Sequence, residues 1–262
     1  MVTDVIAHRG ASGHAPEHTW PAYELAMQMG ADFLEPDLQM TRDGHLIAFH
    51  DETLDRTARP SDCSGPVRAR TLDEIRRCDV GSWFNERYPE RARPEFEGQR
   101  VVTLAELFER WGDRVRWYPE TKNPAETPGM EEALLELLDR YDLRESARRR
   151  GVLIQSFSAD SLGRIRSLDP ELPLIQLLAD PDEAMEVIAG YAIGVGPNRK
   201  LVDSAFMDAA RAHGLLVHPW TVDEPDEMDR LLELGVDGIF TNFPDRLLER
   251  LGRRGPDPGP QD

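Results

Sequence analysis

Eight short apolar runs, centred near residues 5, 34, 115, 152, 174, 192, 216 and 238, alternate along this chain with stretches of helical periodicity. A strand, a helix and a second strand lying parallel to the first make a βα unit. Eight such units can close a sheet on itself with the helices outside. Closure removes the two edges that an open sheet would leave unpaired. The chain's 262 residues are an ordinary length for one such ring. The expected fold class is therefore α/β, a (β/α)8 TIM barrel formed by residues 1–252 as a single domain.

The punctuation agrees. Thr19 and Pro21 open the first helix and Gly30 closes it. A strand is predicted over 33–38. The Arg42-Asp43-Gly44 turn then returns the chain over 46–50 as a hairpin, since a parallel crossover needs about a dozen residues. Residues 51–101 lack sustained periodicity apart from a helical patch at 71–77 and an aromatic cluster of Trp83, Phe84 and Tyr88. They read as an insertion between strand 2 and helix 2, either a lid or specificity element over the barrel mouth or a plain excursion. From residue 102 strands are predicted at 115–120, 152–156, 173–178, 192–195, 216–221 and 237–241. Helices are predicted at 104–111, 130–141, 159–168, 182–189, 204–213, 226–234 and 245–251. The tail, 253–262, is rich in Gly and Pro and is expected to be disordered.

Composition excludes several partners. With 31 basic and 49 acidic residues the formal net charge is -18. Such a surface disfavours nucleic acid and stable association with anionic membranes. Residues 1–4 run straight into the first strand, no apolar run is long enough to span a bilayer, and the two cysteines, Cys63 and Cys78, suggest neither a zinc site nor a disulfide framework. A cytoplasmic location is expected. Monomer and dimer both remain open.

Chemistry concentrates in residues 5–51. Glu35 and Asp37 lie two apart on a predicted strand, so both carboxylates face one way. Buried together they repel unless a proton or a cation lies between them, and a hard divalent metal with oxygen ligands suits the pair. His8 and His50 each follow an apolar run, and Arg9 offers a fork for phosphate. In the predicted barrel His8, Arg9, Glu35, Asp37, Glu120, Gln155 and Trp220 all fall at C-terminal strand ends, the face that carries active sites. Glu120 adds a third carboxylate. Lys122, one of only two lysines, shares its strand face. Two histidines titrating near neutral pH can act as acid and base on either side of a phosphodiester. Isolated histidines are more often structural, the reading adopted for His14, His45 and His213. His218 is placed lower in the barrel and His18 behind the site. Asp51 either orients His50 or caps the turn.

His8-Arg9-Gly10, Pro16-Glu17-His18-Thr19, Glu35-x-Asp37, Thr41-x-Asp43-Gly44 and His50-Asp51 resemble, in order, the motifs of the glycerophosphodiester phosphodiesterase family. So do Glu120-Thr121-Lys122, Gln155-Ser156-Phe157, Trp220-Thr221-Val222 and Asp237-Gly238-Ile239-Phe240-Thr241. Two departures are His18, where Asn is usual, and Asn242, where Asp is more common; they bear on substrate detail. The resemblance implies a hydrolase of glycerol and lipid metabolism that releases glycerol 3-phosphate and an alcohol from a small glycerophosphodiester. It implies one divalent ion, Ca²⁺ or Mg²⁺, on Glu35, Asp37 and Glu120, with acid–base catalysis by His8 and His50. Arg9, Lys122 and Trp220 would contact substrate. Which histidine is the acid, and whether a cyclic phosphate forms, stay open. The alternatives are a lysophospholipase D or sphingomyelinase D-like enzyme and a non-catalytic phosphodiester-binding module. The intact set of His8, His50, Glu35, Asp37 and Glu120 speaks against the last.

Overall fold

The computed structural model describes residues 3–60, 63–180 and 184–253. Its strands are β1 (Asp4–His8), β2 (Phe33–Glu35), β3 (Asp37–Met40), β4 (Leu46–Ala48), β5 (Arg116–Trp117) and β6 (Glu120–Thr121). They continue as β7 (Ile154–Ser156), β8 (Leu174–Leu178), β9 (Gly194–Pro197), β10 (Leu216–Val217) and β11 (Gly238–Thr241). Parallel ladders run β11-β1-β2-β5 and β10-β9-β8-β7-β6-β3, with β4 antiparallel on the edge of β3. A parallel bridge from Trp117 to Val152 joins the two runs on one side. On the other, Asp237 N donates to Val217 O (3.0 Å) and Phe240 N to Pro219 O (3.1 Å). The ring is the (β/α)8 barrel.

Among the described residues eleven strand segments make eight staves, because two staves are interrupted and β4 is the hairpin return outside the ring. The expected strand over 33–38 breaks at Pro36, and that over 115–120 breaks at Tyr118–Pro119. Proline has no N–H to give the ladder. Its carbonyl still accepts: Glu120 N reaches Pro36 O at 2.9 Å and Gln155 N reaches Pro119 O at 3.0 Å. Three rim side chains directly follow such a proline, namely Asp37, Glu120 and Trp220.

Strand parity decides which residues enter the ring. Ile6, Phe33, Tyr118, Leu153, Ile175 and Phe240 form the barrel's inner cluster. Two residues beyond the first five of these, on the same face, come His8, Glu35, Glu120, Gln155 and Leu177. The alternate residues Val5, Ala7, Leu34, Trp117, Ile154 and Leu174 face outward into the larger core shared with the helices. Gly194 lets neighbouring strands approach, since a Cβ there would lie 2.8 Å from both Ile175 and Leu216 side chains.

The outer helices are Trp20–Met29, Leu104–Trp111, Met130–Arg140, Ala159–Leu168, Met185–Ala189, Ser204–Ala212, Pro225–Leu234 and Pro244–Arg250. Thr103 and Glu106 cap one reciprocally, and Gly30 and Gly235 end two others in the left-handed conformation. The helix expected from 182 begins at Met185, residues 181–183 lying outside the described residues. So does the expected disordered tail beyond Arg253. Two short helices, Ser82–Arg87 and Arg144–Arg148, were not expected. Both are too short for periodicity to reveal.

Between β4 and helix Leu104–Trp111 the chain wraps around a small core containing Leu54, Ala58, Val67, Ile75 and Val80. The helical patch appears as Leu72–Ile75, capped by Thr71 and Glu74. Phe84 is fully buried against Ala15, Ala22 and Phe96, so this aromatic pins the segment to the barrel. Here one expectation is corrected. Cys63 and Cys78 form a disulfide, with Cα atoms 5.8 Å apart. A separation of 15 residues says nothing about pairing; wrapping the segment around its own core brings the two together. The cysteine-based ground for the expected cytoplasmic location falls with it. Among the described residues no helix is long and apolar enough to cross a membrane.

Candidate active site

The rim residues form a continuous row because the strand registers align. His8 is the ladder partner of Glu35, Asp37 of Glu120, and Glu120 of Gln155. Every residue of that row except His8 is more than nine-tenths buried. The hairpin supplies the other histidine. Leu38 pairs with Ala48, Phe49 N donates to Asp37 O (2.9 Å), and Gln39 Nε2 donates to His50 O (3.1 Å). That antiparallel return lifts His50 back to the level of Asp37.

Arg9 follows β1 at φ 63 and Gly10 at φ 82, a turn that swings the chain out of the strand. A Cβ on Gly10 would lie 2.6 Å from the Ala22 backbone, so glycine is required there. Arg9 N donates to Glu35 Oε2 at 2.9 Å. Its Nη1 donates to Glu17 Oε1 at 3.1 Å. Arg9 Nε lies 3.0 Å from Asp37 Oδ2, an ion pair by distance that lacks hydrogen-bond alignment. Lys122 Nζ is 2.9 Å from Glu120 Oε1 and 3.8 Å from Asp37 Oδ1.

Together these groups line a cavity of about 300 Å³. His8, Arg9, Glu35, His50, Glu120 and Lys122 make its ionic side. Phe157, Leu177, Trp220 and Phe240 make its apolar side, where Phe157 and Trp220 meet edge to face at 5.4 Å. The Trp220 indole N–H is occupied by Gly196 O at 2.6 Å, leaving its ring as a wall.

The carboxylates are not equivalent. Burial would raise Asp37, but Arg9 and Lys122 beside it hold it well below the usual range. Burial, with Asp37 and Glu120 nearby, pushes Glu35 well above that range. Glu120 is pushed up to about 8 by burial and by Asp37, against the pull of Lys122. Without a cation the cluster therefore keeps protons that ordinary carboxylates would have lost.

Each histidine is held by Nδ1. His50 Nδ1 lies 2.6 Å from Asp51 Oδ1, and His8 Nδ1 lies 2.7 Å from Asn242 Oδ1. Asn242 cannot turn its amide, because Nδ2 and the backbone N both donate to Asp223, at 2.7 and 2.8 Å. Its oxygen must face His8, so Nδ1 carries the proton and Nε2 the lone pair. Burial and the adjacent Arg9 then draw the His8 pKa down to about 3.

The glycerophosphoryl diester phosphodiesterase family model matches residues 8–246. The chain belongs to that family. It is 48% identical over 247 residues to the glycerophosphodiester phosphodiesterase of Bacillus subtilis, covering 92% of this chain and 83% of that one. It is 35% identical over 261 residues to the corresponding Caldanaerobacter subterraneus enzyme, covering 97% and 100%. A phosphodiesterase structure from Oleispira antarctica, in complex with its product sn-glycerol-3-phosphate, superposes with a TM-score of 0.83 at 26% identity, covering 96% and 97%. Family membership makes this chain a phosphodiesterase.

Within this glycerophosphoryl diester phosphodiesterase fold the donor set can be tested against a metal ion. Glu35, Asp37 and Glu120 offer oxygens within 4.8 Å of one another, all from buried residues. Gln155 Nε2 donates to Glu35 Oε1 at 3.2 Å, while its buried Oε1 has no partner. Three carboxylates and an orphaned amide oxygen form an all-oxygen set suited to a hard divalent cation. The residues present fit one.

Of the residues named from sequence, His8, Arg9, Glu35, His50, Glu120, Lys122 and Trp220 line one cavity, with Asp37 buried behind Arg9 and Lys122. His218 pairs with Tyr118 Oη at 2.8 Å inside the barrel, and His14 with Asp245 at 2.9 Å. His18 bridges Tyr23 Oη (2.8 Å) and Asp37 Oδ2 (3.0 Å), directly behind the acidic cluster. Sequence reading gave no part in proton transfer or metal binding to Asn242, Asp223, Glu17 or Arg56. Glu17 lies inside a quoted motif, whereas Arg56 sits in an aperiodic stretch with no local signal.

Proposed function

We propose that this chain hydrolyses glycerophosphodiesters to glycerol 3-phosphate and a free alcohol. In this reading Glu35, Asp37 and Glu120 hold Ca²⁺ or Mg²⁺, His8 and His50 move protons, and Arg9 and Lys122 neutralise phosphoryl oxygens. The carrying observation is the row His8–Glu35 and Asp37–Glu120–Gln155, continuous along one rim and faced by His50. A bound cation supplies Lewis-acid charge to the phosphoryl group. His8, neutral with Nε2 unprotonated, is the base. His50 is the acid: Asp51 accepts from Nδ1 and balances the charge of the protonated ring, and Nε2 delivers the proton to the departing oxygen. Arg9 is anchored by Glu17 and so presents its fork in one orientation. The faces of Trp220 and Phe157 pack the carbon skeleton and exclude water. Residues 1–252 act as one catalytic unit, and the insertion at 51–101 braces it.

Asn242→Asp checks the His8 assignment. It sets a carboxylate against Nδ1 in place of a neutral amide, and a negative neighbour favours the protonated imidazole. The acidic limb of the kcat/KM profile should move to higher pH. An unmoved limb would assign the base elsewhere.

The substrate we assign is a water-soluble, deacylated diester. The net charge of -18 opposes docking on an anionic bilayer, the cavity is small, and Phe84 is spent on packing rather than free to grip an acyl chain. Catalytic efficiency on glycerophosphocholine should exceed that on lysophosphatidylcholine at equal metal concentration, with glycerol 3-phosphate as product. A preference for the lysolipid that disappears in Trp83→Ala would overturn this reading. The cytoplasmic location expected from sequence stands against the Cys63–Cys78 bridge, which favours an oxidising compartment. Thiol titration of protein taken directly from its native cell decides between them.

A further inference from the structure

One side chain ties the two halves of the ionic wall together without lining the cavity. Arg56 reaches two carboxylates at once. Its Nε and Nη2 donate to Asp51 at 2.7 and 3.1 Å, and its Nη1 and Nη2 donate to Glu17 at 2.9 and 2.6 Å. Asp51 in turn holds His50, and Glu17 holds Arg9. The result is a hydrogen-bonded chain in which basic and acidic side chains alternate, His50–Asp51–Arg56–Glu17–Arg9. Burial would raise Glu17, yet Arg56 and Arg9 keep it down at about 2, so it remains an anion. The Trp83 ring lies 5.7 Å beneath the guanidinium and fixes its plane from the same wrapped segment.

A carboxylate on an exposed turn rotates freely; one gripped by a planar fork does not. Asp51 is a quarter exposed and has no hydrogen-bond donor among the described side chains other than His50 and Arg56. We propose that Arg56 is a positioning residue of the phosphodiesterase reaction, locking Asp51 and Glu17 so that the His50 tautomer and the Arg9 fork are set together. On this account the irregular segment after the hairpin delivers a clamp from behind the site, rather than a lid above it. The inference rests on the roles assigned above to His50 and Arg9.

The test uses the full chain with metal, as wild type, Arg56→Ala and Arg56→Lys. Arg56→Ala should lower kcat on glycerophosphocholine about 10- to 100-fold, the usual effect of removing a partner that orients a working ligand or base. Nitrogen NMR of the His50 ring, taken at a pH where it is neutral, should shift from a single Nδ1–H tautomer toward a mixture. Arg56→Lys keeps the charge but cannot span two carboxylates, so it should rescue little; millimolar guanidinium ion should partly restore Arg56→Ala. Arg56→Ala added to His50→Ala should cost much less than it does alone. An unchanged His50 tautomer in both variants, or wild-type kcat in Arg56→Lys, overturns the proposal. If His50→Ala kept full turnover, the acid assignment would fail while the tautomer shift still reported on the clamp, so the two failures are separable. Should Arg56→Ala melt, Arg56→Lys carries both readouts.

Discussion

His8→Ala and His50→Ala should each lower turnover about a hundredfold or more, the range seen when a positioned acid or base is lost. Each ring is held by Nδ1, to Asn242 and Asp51 respectively, and each lines the cavity. Alanine removes the proton carrier and leaves that holder facing empty space. The two act within one proton-transfer sequence, so the double variant should cost less than the sum of the single free energies. Neither histidine belongs to a hydrophobic cluster of the barrel, so circular dichroism should show folded protein. His213→Ala is the control: its ring is held outside the cavity, Nδ1 donating to Ala209 O at 2.9 Å, and turnover should not change. Near wild-type turnover in either single variant would sink the acid–base pairing.

Exhaustive chelation should abolish activity, and Ca²⁺ or Mg²⁺ should restore it. Glu35, Asp37 and Glu120 converge within 4.8 Å, and without a metal ion their mutual repulsion is relieved only by Arg9, Lys122 and retained protons. That arrangement has a readout independent of turnover. Glu120, ordinarily near 4.5, is pushed up to about 8 by burial and Asp37, and Glu35 is raised well above its ordinary range by burial and its two acidic neighbours. The folded, metal-free chain thus keeps protons that the unfolded chain releases. Its stability must fall as pH rises toward 8. Below 6.5 the buried neutral histidines His8, His18 and His218 act in the opposite sense, because the unfolded chain protonates them. Asp37 is ionised in both states throughout this range and adds no slope. The window is therefore pH 6.5 to 8: the melting temperature of metal-free protein should decline across it, and saturating Ca²⁺ should raise the curve and flatten it. A flat metal-free curve, indifferent to Ca²⁺ and Mg²⁺, would remove the metal assignment.

Much of the barrel was legible because its signals are local. Strand alternation has a period of 2 and helix packing one near 3.6, both set by backbone geometry. That parity alone puts Glu35 with Phe33, and Glu120 with Tyr118, on an inward face. It also overran: the strands predicted across Pro36 and Pro119 are broken, since apolar pattern does not register a missing ladder donor. Inside residues 51–101 no period is sustained beyond the patch at 71–77. Ser82–Arg87 and the Cys63–Cys78 bridge were accordingly missed.

Local pattern, then, set the eightfold alternation and the face on which each strand-end side chain lies. It also singled out the histidines, carboxylates and cations worth watching. Which groups touch came only with the packed barrel: His8 against Asn242 across 234 residues, Arg56 between Asp51 and Glu17, Gln155 beside Glu35 across 120 residues. Periodicity is a property of neighbouring dihedral angles. Hydrogen-bond partners distant in sequence depend on ring closure and strand register, which are set when the whole barrel packs.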